Sequence, residues 1–384
     1  MAHQFQTPET TFIGDGALEA AADKLCSLGQ HALIVTGQSM IRQGHMATLE
    51  ALLDAHGVAH TRFAGISGEP TDTMVNDGVA AYKDAGCDFI IGFGGGSPLD
   101  SAKAIAVLVA RGGNIADYMG QSITGLLPPL VAIPSTAGTG SEATPFTIIT
   151  DTASDVKMLL GGDALMPRLA IVDPLFSREA PQSVTVATGL DALTHAIEAY
   201  TSRKAFCESD LFCLSAVGRI FAFLPRAAAD GSDLEARTEM ALAAYEAGVG
   251  IANSSVTVVH GMSRPIGALF HVPHGISNAM LLSACLRYVA DGACERFATL
   301  GRRIGAATAA DDDRTATEKF LAAVQALCDT CAVPTLAQYG IDRDAFFATM
   351  DKMAGDALAS GSPANTRKAL DKNDLLTIYE SLWQ

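Results

Sequence analysis

The stretch I-I-G-F-G-G-G-S-P-L-D-S-A-K-A-I, residues 90–105, reads as a buried strand that runs into three consecutive glycines and then into a helix. A turn of this kind leaves unpaired N–H groups at the helix start and lets an anionic group such as a pyrophosphate come close to the backbone. Gly95, Gly96 and Ser97 would make that approach, with Asp100 and Lys103 following one turn apart. The stretch has neither the G-x-G-x-x-G spacing nor the G-K-[ST] ending, so the usual dinucleotide and P-loop fingerprints do not apply. Taken alone, a glycine-rich strand-to-helix turn is as often structural as functional.

The surrounding sequence supplies the context. H-A-L-I-V-T-G (31–37) and C-D-F-I-I-G-F (87–93) are apolar, β-branched runs followed by helical patterns, and L-V-A-I-P (130–134) is followed by a loop. That order implies an α/β domain, a parallel sheet with helices on both faces. Before it, F-Q-T-P-E-T-T-F-I-G-D-G-A-L-E (5–19) reads as a short strand and turn leading to a helix near Gly16. The loop after residue 134 is S-T-A-G-T-G-S-E-A-T (135–144), a second glycine-rich bend carrying the hydroxyls of Ser135, Thr136, Thr139 and Ser141. Two such loops at the carboxyl ends of parallel strands point to a ligand crevice. Beyond Pro181, Ala- and Leu-rich stretches replace the strand-like runs, so the division falls after R-L-A-I-V-D-P (168–174). We place an α/β domain at 1–183 and an all-α domain at 184–384, with no low-complexity linker or internal repeat.

A chain of 384 residues exceeds one ordinary core, in agreement with two domains. With 49% hydrophobic residues, 18% charged residues and 36 glycines it reads as globular rather than disordered or fibrous. A net charge of −16 argues against nucleic acid and anionic membrane as partners. The opening M-A-H-Q-F-Q-T-P has neither a basic nor an apolar targeting region, and no uninterrupted apolar run reaches the ~18 residues of a membrane span. A cytoplasmic location is the expectation. The eight cysteines are scattered and read as reduced core thiols, and Cys328 and Cys331 form a C-x-x-C with no strand before it.

Four potential metal ligands lie on apolar, small-residue backbone between residues 189 and 275. In A-T-G-L-D-A-L-T-H-A-I-E-A-Y (187–200), a helix would stack Asp191 and His195 on one face. In V-V-H-G-M-S-R-P-I-G-A-L-F-H-V-P-H-G (258–275), Pro265, Gly267, Pro273 and Gly275 are expected to break regular structure, and a loop folding back would bring His260 and His274 together. One Asp/His pair at helical spacing is usually solvated; the combination points to a divalent cation, which satisfies all four groups at once. Glu198, three residues beyond His195, reads more readily as a solvated helix-face carboxylate than as a partner of the ligands. A cation held by three imidazoles and one carboxylate can polarise a carbonyl oxygen or stabilise an alkoxide, and zinc would bind such a site more tightly than ferrous iron on intrinsic affinity.

In order and spacing, G-G-G-S-P-L-D-S-A-K, P-S-T-A-G-T-G-S-E-A-T, G-L-D-A-L-T-H-A-I-E-A-Y and H-G-M-S-R-P-I-G-A-L-F-H-V-P-H-G resemble the iron-containing (group III) alcohol dehydrogenase family over essentially the whole chain. The resemblance implies a dinucleotide-binding α/β domain and an all-α metal-binding domain, the dehydroquinate synthase-like fold, with a catalytic cleft between them. It implies Asp191, His195, His260 and His274 as metal ligands, with Fe(II) as the metal and Zn(II) as the alternative. It also implies Gly95, Gly96 and Ser97 as the pyrophosphate loop, Thr136, Thr139 and Lys157 as cofactor contacts, Phe146 beside the nicotinamide, and a homodimer.

Two positions depart from the family pattern. Arg264 stands where many members carry a histidine, and a guanidinium is no ordinary proton shuttle; it would pair with an anionic group of the substrate or pack against the cofactor. His271 is then the remaining imidazole for proton relay. Gly37 stands where NAD-preferring relatives tend to carry an acid, so NADP is permitted, with Ser39 and Arg42 available to a 2′-phosphate; otherwise Gly37 simply ends a strand. The expected activity is an NAD(P)-linked alcohol dehydrogenase or aldehyde reductase acting on a small primary alcohol or aldehyde. A dehydroquinate-synthase-like lyase, a glycerol-dehydrogenase-like enzyme and a non-catalytic metal-binding scaffold are the alternatives.

Overall fold

The computed structural model describes residues 2–154 and 156–383, and the chain divides into two compact units, Thr7–Ala180 and Pro181–Gln384 with Met1–Gln6. The first unit runs β1 (Thr10–Ile13), α1 (Ala17–Ala20), α2 (Ala22–Cys26), β2 (His31–Thr36), α3 (Gln38–Arg42), α4 (His45–Ala55), β3 (Ala59–Phe63), α5 (Asp72–Ala85), β4 (Phe89–Gly94), α6 (Gly96–Arg111), β5 (Leu130–Pro134), β6 (Phe146–Asp151), β7 (Val156–Gly161) and β8 (Leu169–Val172). Among the described residues, six strands form one sheet in the order β1-β8-β5-β4-β2-β3, with every pairing parallel. Strands β6 and β7 pair with each other, antiparallel.

Alternate side chains of each strand feed opposite cores, as the period of two requires. Leu33, Val35 and Ile90 pack with Val75 and Ile105 on one face, while Ala32, Ile34, Phe89 and Ile91 pack with Met46 and Leu49 on the other. Burying each large apolar side chain contributes about 1.5–3 kcal/mol, which is why these strands read as continuous apolar runs. The expected strands all form, including the short one at residues 10–13. The sequence reading passed over β3, whose A-H-T-R-F pattern is only partly buried because it lies at the sheet edge, and the β6–β7 hairpin.

The second unit is helical: α7 (Gln182–Thr201), α8 (Cys207–Ala229), α9 (Leu234–Asn253), α10 (Val258–Phe270), α11 (His274–Val289), α12 (Cys294–Arg303), α13 (Asp313–Thr330), α14 (Leu336–Tyr339), α15 (Arg343–Ala359) and α16 (Lys372–Ser381). Helix α8 is long and apolar enough by length and composition to cross a membrane, and it packs against α7 and α9. Helix α7 is buried along nearly its whole length. Small residues allow this: a Cβ on Gly189 would stand 2.5 Å from Leu224 Cδ1.

One expectation is corrected here. Residues 258–270 form a single helix through Pro265 and Gly267, and the chain breaks only at residues 271–273. Pro265 removes one backbone bond. The helix continues because Val258, Val259, Met262 and Ile266 are fully buried along one side of it, which outweighs that loss.

Candidate metal centre and nucleotide loops

Three helices of the second unit bring the ligand candidates together. Asp191 and His195 lie one turn apart on α7, His260 sits in the first turn of α10, and His274 opens α11. Gly275 makes the last placement feasible, because a Cβ there would come within 2.4 Å of the Ala187 carbonyl oxygen; the start of α11 therefore rests on the backbone of α7, one turn from Asp191. One donor atom from each of the four residues lies within 4.8 Å of all the others. Asp191 Oδ1 is 3.9 Å from His195 Nε2, 3.6 Å from His260 Nε2 and 3.7 Å from His274 Nε2. Donors about 2.1 Å from a tetrahedrally held cation stand about 3.4 Å apart, so this set closes on a divalent ion with little movement. Asp191, His195 and His260 are buried, whereas 34% of the His274 side chain is exposed, which marks the open side.

The surroundings hold the two carboxylates of this cluster ionised. Burial by itself would raise the Asp191 carboxyl, but His195, His274 and His260 together reverse this and keep it well below the usual carboxylate range. Glu198 is fully buried, which corrects its reading as a solvated carboxylate. Its Oε2 is 2.5 Å from His260 Nδ1, and its Oε1 accepts from Thr257 Oγ1 and the Val259 N–H at 2.6 Å each. Burial would raise its carboxyl too, and His260 and Thr257 bring it below the ordinary value instead. With the Glu198 carboxylate accepting from Nδ1–H, the Nε2 lone pair of His260 faces the cluster.

Asn278 was missed in the sequence. It lies one turn after His274 and is fully buried; its Nδ2 donates to Asp191 Oδ1 at 2.7 Å and stands 3.1 Å and 3.2 Å from Nε2 of His260 and His274. The two N–H groups of Asn278 cannot serve three acceptors at once, which leaves acceptor capacity among Asp191, His260 and His274. The spacing of four from His274 was the available signal. Arg264, one turn after His260, donates through Nη1 to Ser362 Oγ at 3.0 Å. His271 ends α10 in the left-handed region at φ 53° and is exposed.

In the first unit, β5, β4 and β2 are neighbours, and their carboxyl ends line up: Thr36 pairs with Phe93 and Gly94 with Pro134. Gly37 therefore emerges level with Gly94, and Gly95 with Ser135, along one edge of the sheet. From β2 the chain goes first to β3 on one side and then to β4 on the other, the reversal at which such sheets open a crevice. The two glycine-rich loops touch: a Cβ on Gly95 would lie 3.4 Å from Thr136 Cγ2, and one on Gly96 only 2.8 Å from Thr139 Cγ2. Ser97 lies in the first turn of α6, and Phe146 begins β6, half-buried. Ser39 and Arg42 are exposed on the short α3 that follows Gly37.

Two expected cofactor contacts are engaged inside the unit. Asp100 accepts from Ser141 Oγ at 2.6 Å and from the Ile148 N–H at 2.9 Å, so its carboxylate ties the loop to α6. Lys157 pairs with Glu69 at 2.5 Å.

An open parallel sheet with glycine turns along its carboxyl edge, in one chain with a helical unit that gathers a carboxylate and three imidazoles, is the framework a metal-dependent nicotinamide dehydrogenase requires. Within that class the chain belongs to the iron-containing alcohol dehydrogenase family. The family "Iron-containing alcohol dehydrogenase" matches residues 8–174 and "Fe-containing alcohol dehydrogenase family, C-terminal" matches residues 185–383. The chain is 36% identical over 343 residues to an NAD-dependent methanol dehydrogenase of Bacillus methanolicus, covering 88% of this chain and 90% of that one. It is 34% identical over 391 residues to the lactaldehyde reductase of Escherichia coli (strain K12), covering 100% of both. A crystal structure of a 1,3-propanediol oxidoreductase superposes with a TM-score of 0.96 at 32% identity, again over 100% of both chains. The protein is an NAD-dependent alcohol oxidoreductase of the iron type.

Proposed function

We propose that this enzyme interconverts a small primary alcohol and its aldehyde, working as an aldehyde reductase on a substrate that carries an anionic group. The observation that carries the reading is the convergence of Asp191, His195, His260 and His274 within 4.8 Å. These four would hold Fe(II), with Zn(II) able to replace it. A cation held there would polarise the substrate oxygen, and a nicotinamide, when bound, would supply or accept the hydride. Glu198 keeps the His260 tautomer that presents Nε2, and Asn278 holds Asp191 in place.

Gly95, Gly96 and Ser97 would receive the pyrophosphate at the start of α6, Thr136 and Thr139 would flank it, and Phe146 would lie beside the nicotinamide. Lys157 would reach the cofactor by leaving Glu69. Gly37, with Ser39 and Arg42 exposed beyond it, would admit NADP(H) as well as NAD(H).

Arg264 gives the substrate its character. Burial pulls its guanidinium below the ordinary value while the Glu198 charge acts in the opposite direction, and its hydrogen bond to Ser362 is to a neutral hydroxyl. Among the described residues it takes part in no ion pair, so a carboxylate or similar group on the aldehyde would complete it. Since a guanidinium stays protonated, His271 is the imidazole proposed to pass the hydroxyl proton to solvent. A homodimer in the cytoplasm completes the proposal.

The test is absorbance at 340 nm with a panel of neutral and carboxylated short aldehydes, on protein stripped of metal and reloaded with Fe(II) or Zn(II). NADH or NADPH oxidation that depends on added metal supports the reading. A lyase on this architecture would show no net NADH consumption, and a scaffold would show no turnover.

A further inference from the structure

Lys103 lies in the middle of α6 and is 1% exposed. A buried ammonium persists only where its hydrogens are fully engaged. Its Nζ stands 2.7 Å from the Ser141 carbonyl oxygen, 2.8 Å from that of Thr144 and 2.9 Å from that of Phe146, with the hydroxyls of Ser141 and Thr144 at 3.2 Å and 3.1 Å. Three N–H groups serve three acceptors at a time, and the carbonyls are nearest. All of these oxygens belong to residues 141–146, the connection between β5 and β6.

The same face of α6 grips this connection at further points. Besides the contacts of the Asp100 carboxylate with Ser141 and Ile148, Thr147 Oγ1 donates to the Asp100 carbonyl at 2.8 Å. Burial pulls the Lys103 ammonium down to about 8, with Asp100 and Glu142 acting against that, and burial likewise holds the Glu142 carboxyl up at about 7. The lysine therefore balances two interior acids while gathering carbonyls that would otherwise repel one another. The amino end of α6 carries Gly96 and Ser97, and the connection it grips runs from Thr139 to Phe146. One helix thus sets both sides of the nucleotide surface.

We propose that Lys103 is the positioning residue of the nucleotide-binding surface: its ammonium clamps residues 141–146 onto α6, and this sets the spacing of Thr136, Thr139 and Phe146 from the 95–97 turn. The proposal rests on the assignment of those residues to the dinucleotide made above. Lys103 itself touches no cofactor in this scheme; it acts through the loop.

The experiment compares full-length, metal-loaded wild type with Lys103→Met, which keeps the chain length without the charge, and Ser141→Ala, which removes only a hydroxyl shared by Lys103 and Asp100. Dissociation constants for NADH and NADPH are read from nicotinamide fluorescence, hydrogen exchange is followed over residues 135–151, and bound metal is counted as the control for the helical unit. Lys103→Met is expected to weaken dinucleotide binding about tenfold or more, equivalent to about 1.4 kcal/mol. Exchange over 135–151 should quicken, and metal content should stay at the wild-type level. Ser141→Ala should show a smaller loss in the same direction; if Lys103→Met does not fold, Thr144→Val, which removes a hydroxyl that Lys103 contacts and the Asp100 carboxylate does not, decides the matter by the same readouts. Wild-type dissociation constants in a folded variant would overturn the proposal alone. Failure of the wild type to bind either dinucleotide would overturn the assignment of the loops, and this proposal with it.

Discussion

Glu198 Oε2 lies 2.5 Å from His260 Nδ1, and all three neighbours of this carboxylate, His260, Thr257 and the Val259 N–H, approach it as donors. An amide cannot replace it without setting its own NH2 against one of them. Glu198→Gln and Glu198→Ala are both expected to weaken cation binding by about 10- to 100-fold. Competition with a chromophoric chelator measures this, and unchanged affinity in both variants would remove Glu198 from the centre.

Removing the cation should cost stability as well as activity. A ligand that binds only the folded state stabilises it by about 4 kcal/mol at a thousandfold excess over its dissociation constant. Chelator-treated protein should therefore melt at a lower temperature in calorimetry and recover on addition of Fe(II) or Zn(II). His260→Ala, which also strips the buried Glu198 carboxylate of its imidazole, should melt at or below the stripped protein's temperature and show no recovery when metal is supplied.

Arg264→Ala should discriminate between substrates. Loss of one partner of a sequestered charge pair costs about 2 kcal/mol or more, equivalent to about 30-fold in kcat/KM for a carboxylated aldehyde. The neutral aldehyde of similar size should change little. An equal loss for both would remove the anionic substrate from the proposal.

Gly96→Ala is expected to raise the KM for the dinucleotide about tenfold, because the added methyl meets Thr139 Cγ2 at 2.8 Å and pushes two loops apart. Thr139→Ser deletes that methyl and keeps the hydroxyl. The double variant should thus recover much of the loss, and a double variant no better than the single one would show that this contact is not the cause.

Gly37→Asp should turn the enzyme towards NAD(H), lowering kcat/KM for NADPH about tenfold through repulsion of a 2′-phosphate. The new Cβ meets the Ile66 carbonyl oxygen at 3.1 Å, which a small shift accommodates. Parallel kinetics with both cofactors check the prediction, and an equal loss with both would point to a strained turn instead.

Much of this architecture is legible in the sequence. Buried parallel strands announce themselves by unbroken apolar runs, and the glycine turns at residues 94–96 and 138–140 follow them directly, so the sheet and its carboxyl edge could be read from local pattern. The pairing of Asp191 with His195 needed only the pitch of a helix. Edge strand β3 was not legible, because a strand with one neighbour and a wetted face carries His60 and Arg62 and loses the apolar signature. Pro265 misled for a related reason: a local breaker is overruled where the buried side of the helix supplies more than the one lost bond.

The rest depends on contacts between residues far apart in the chain. Glu198 and His260 are separated by 62 positions, Asp191 and Asn278 by 87, and Lys103 and Thr144 by 41. Whether a carboxylate on a helix is solvated or clamps an imidazole turns on which helix packs over it, and no periodicity records that. Residue types and their spacing were enough to name the chemistry of this enzyme. Burial and long-range hydrogen bonding decided which side chains meet, because desolvation makes an unpartnered charge too costly to leave in the interior.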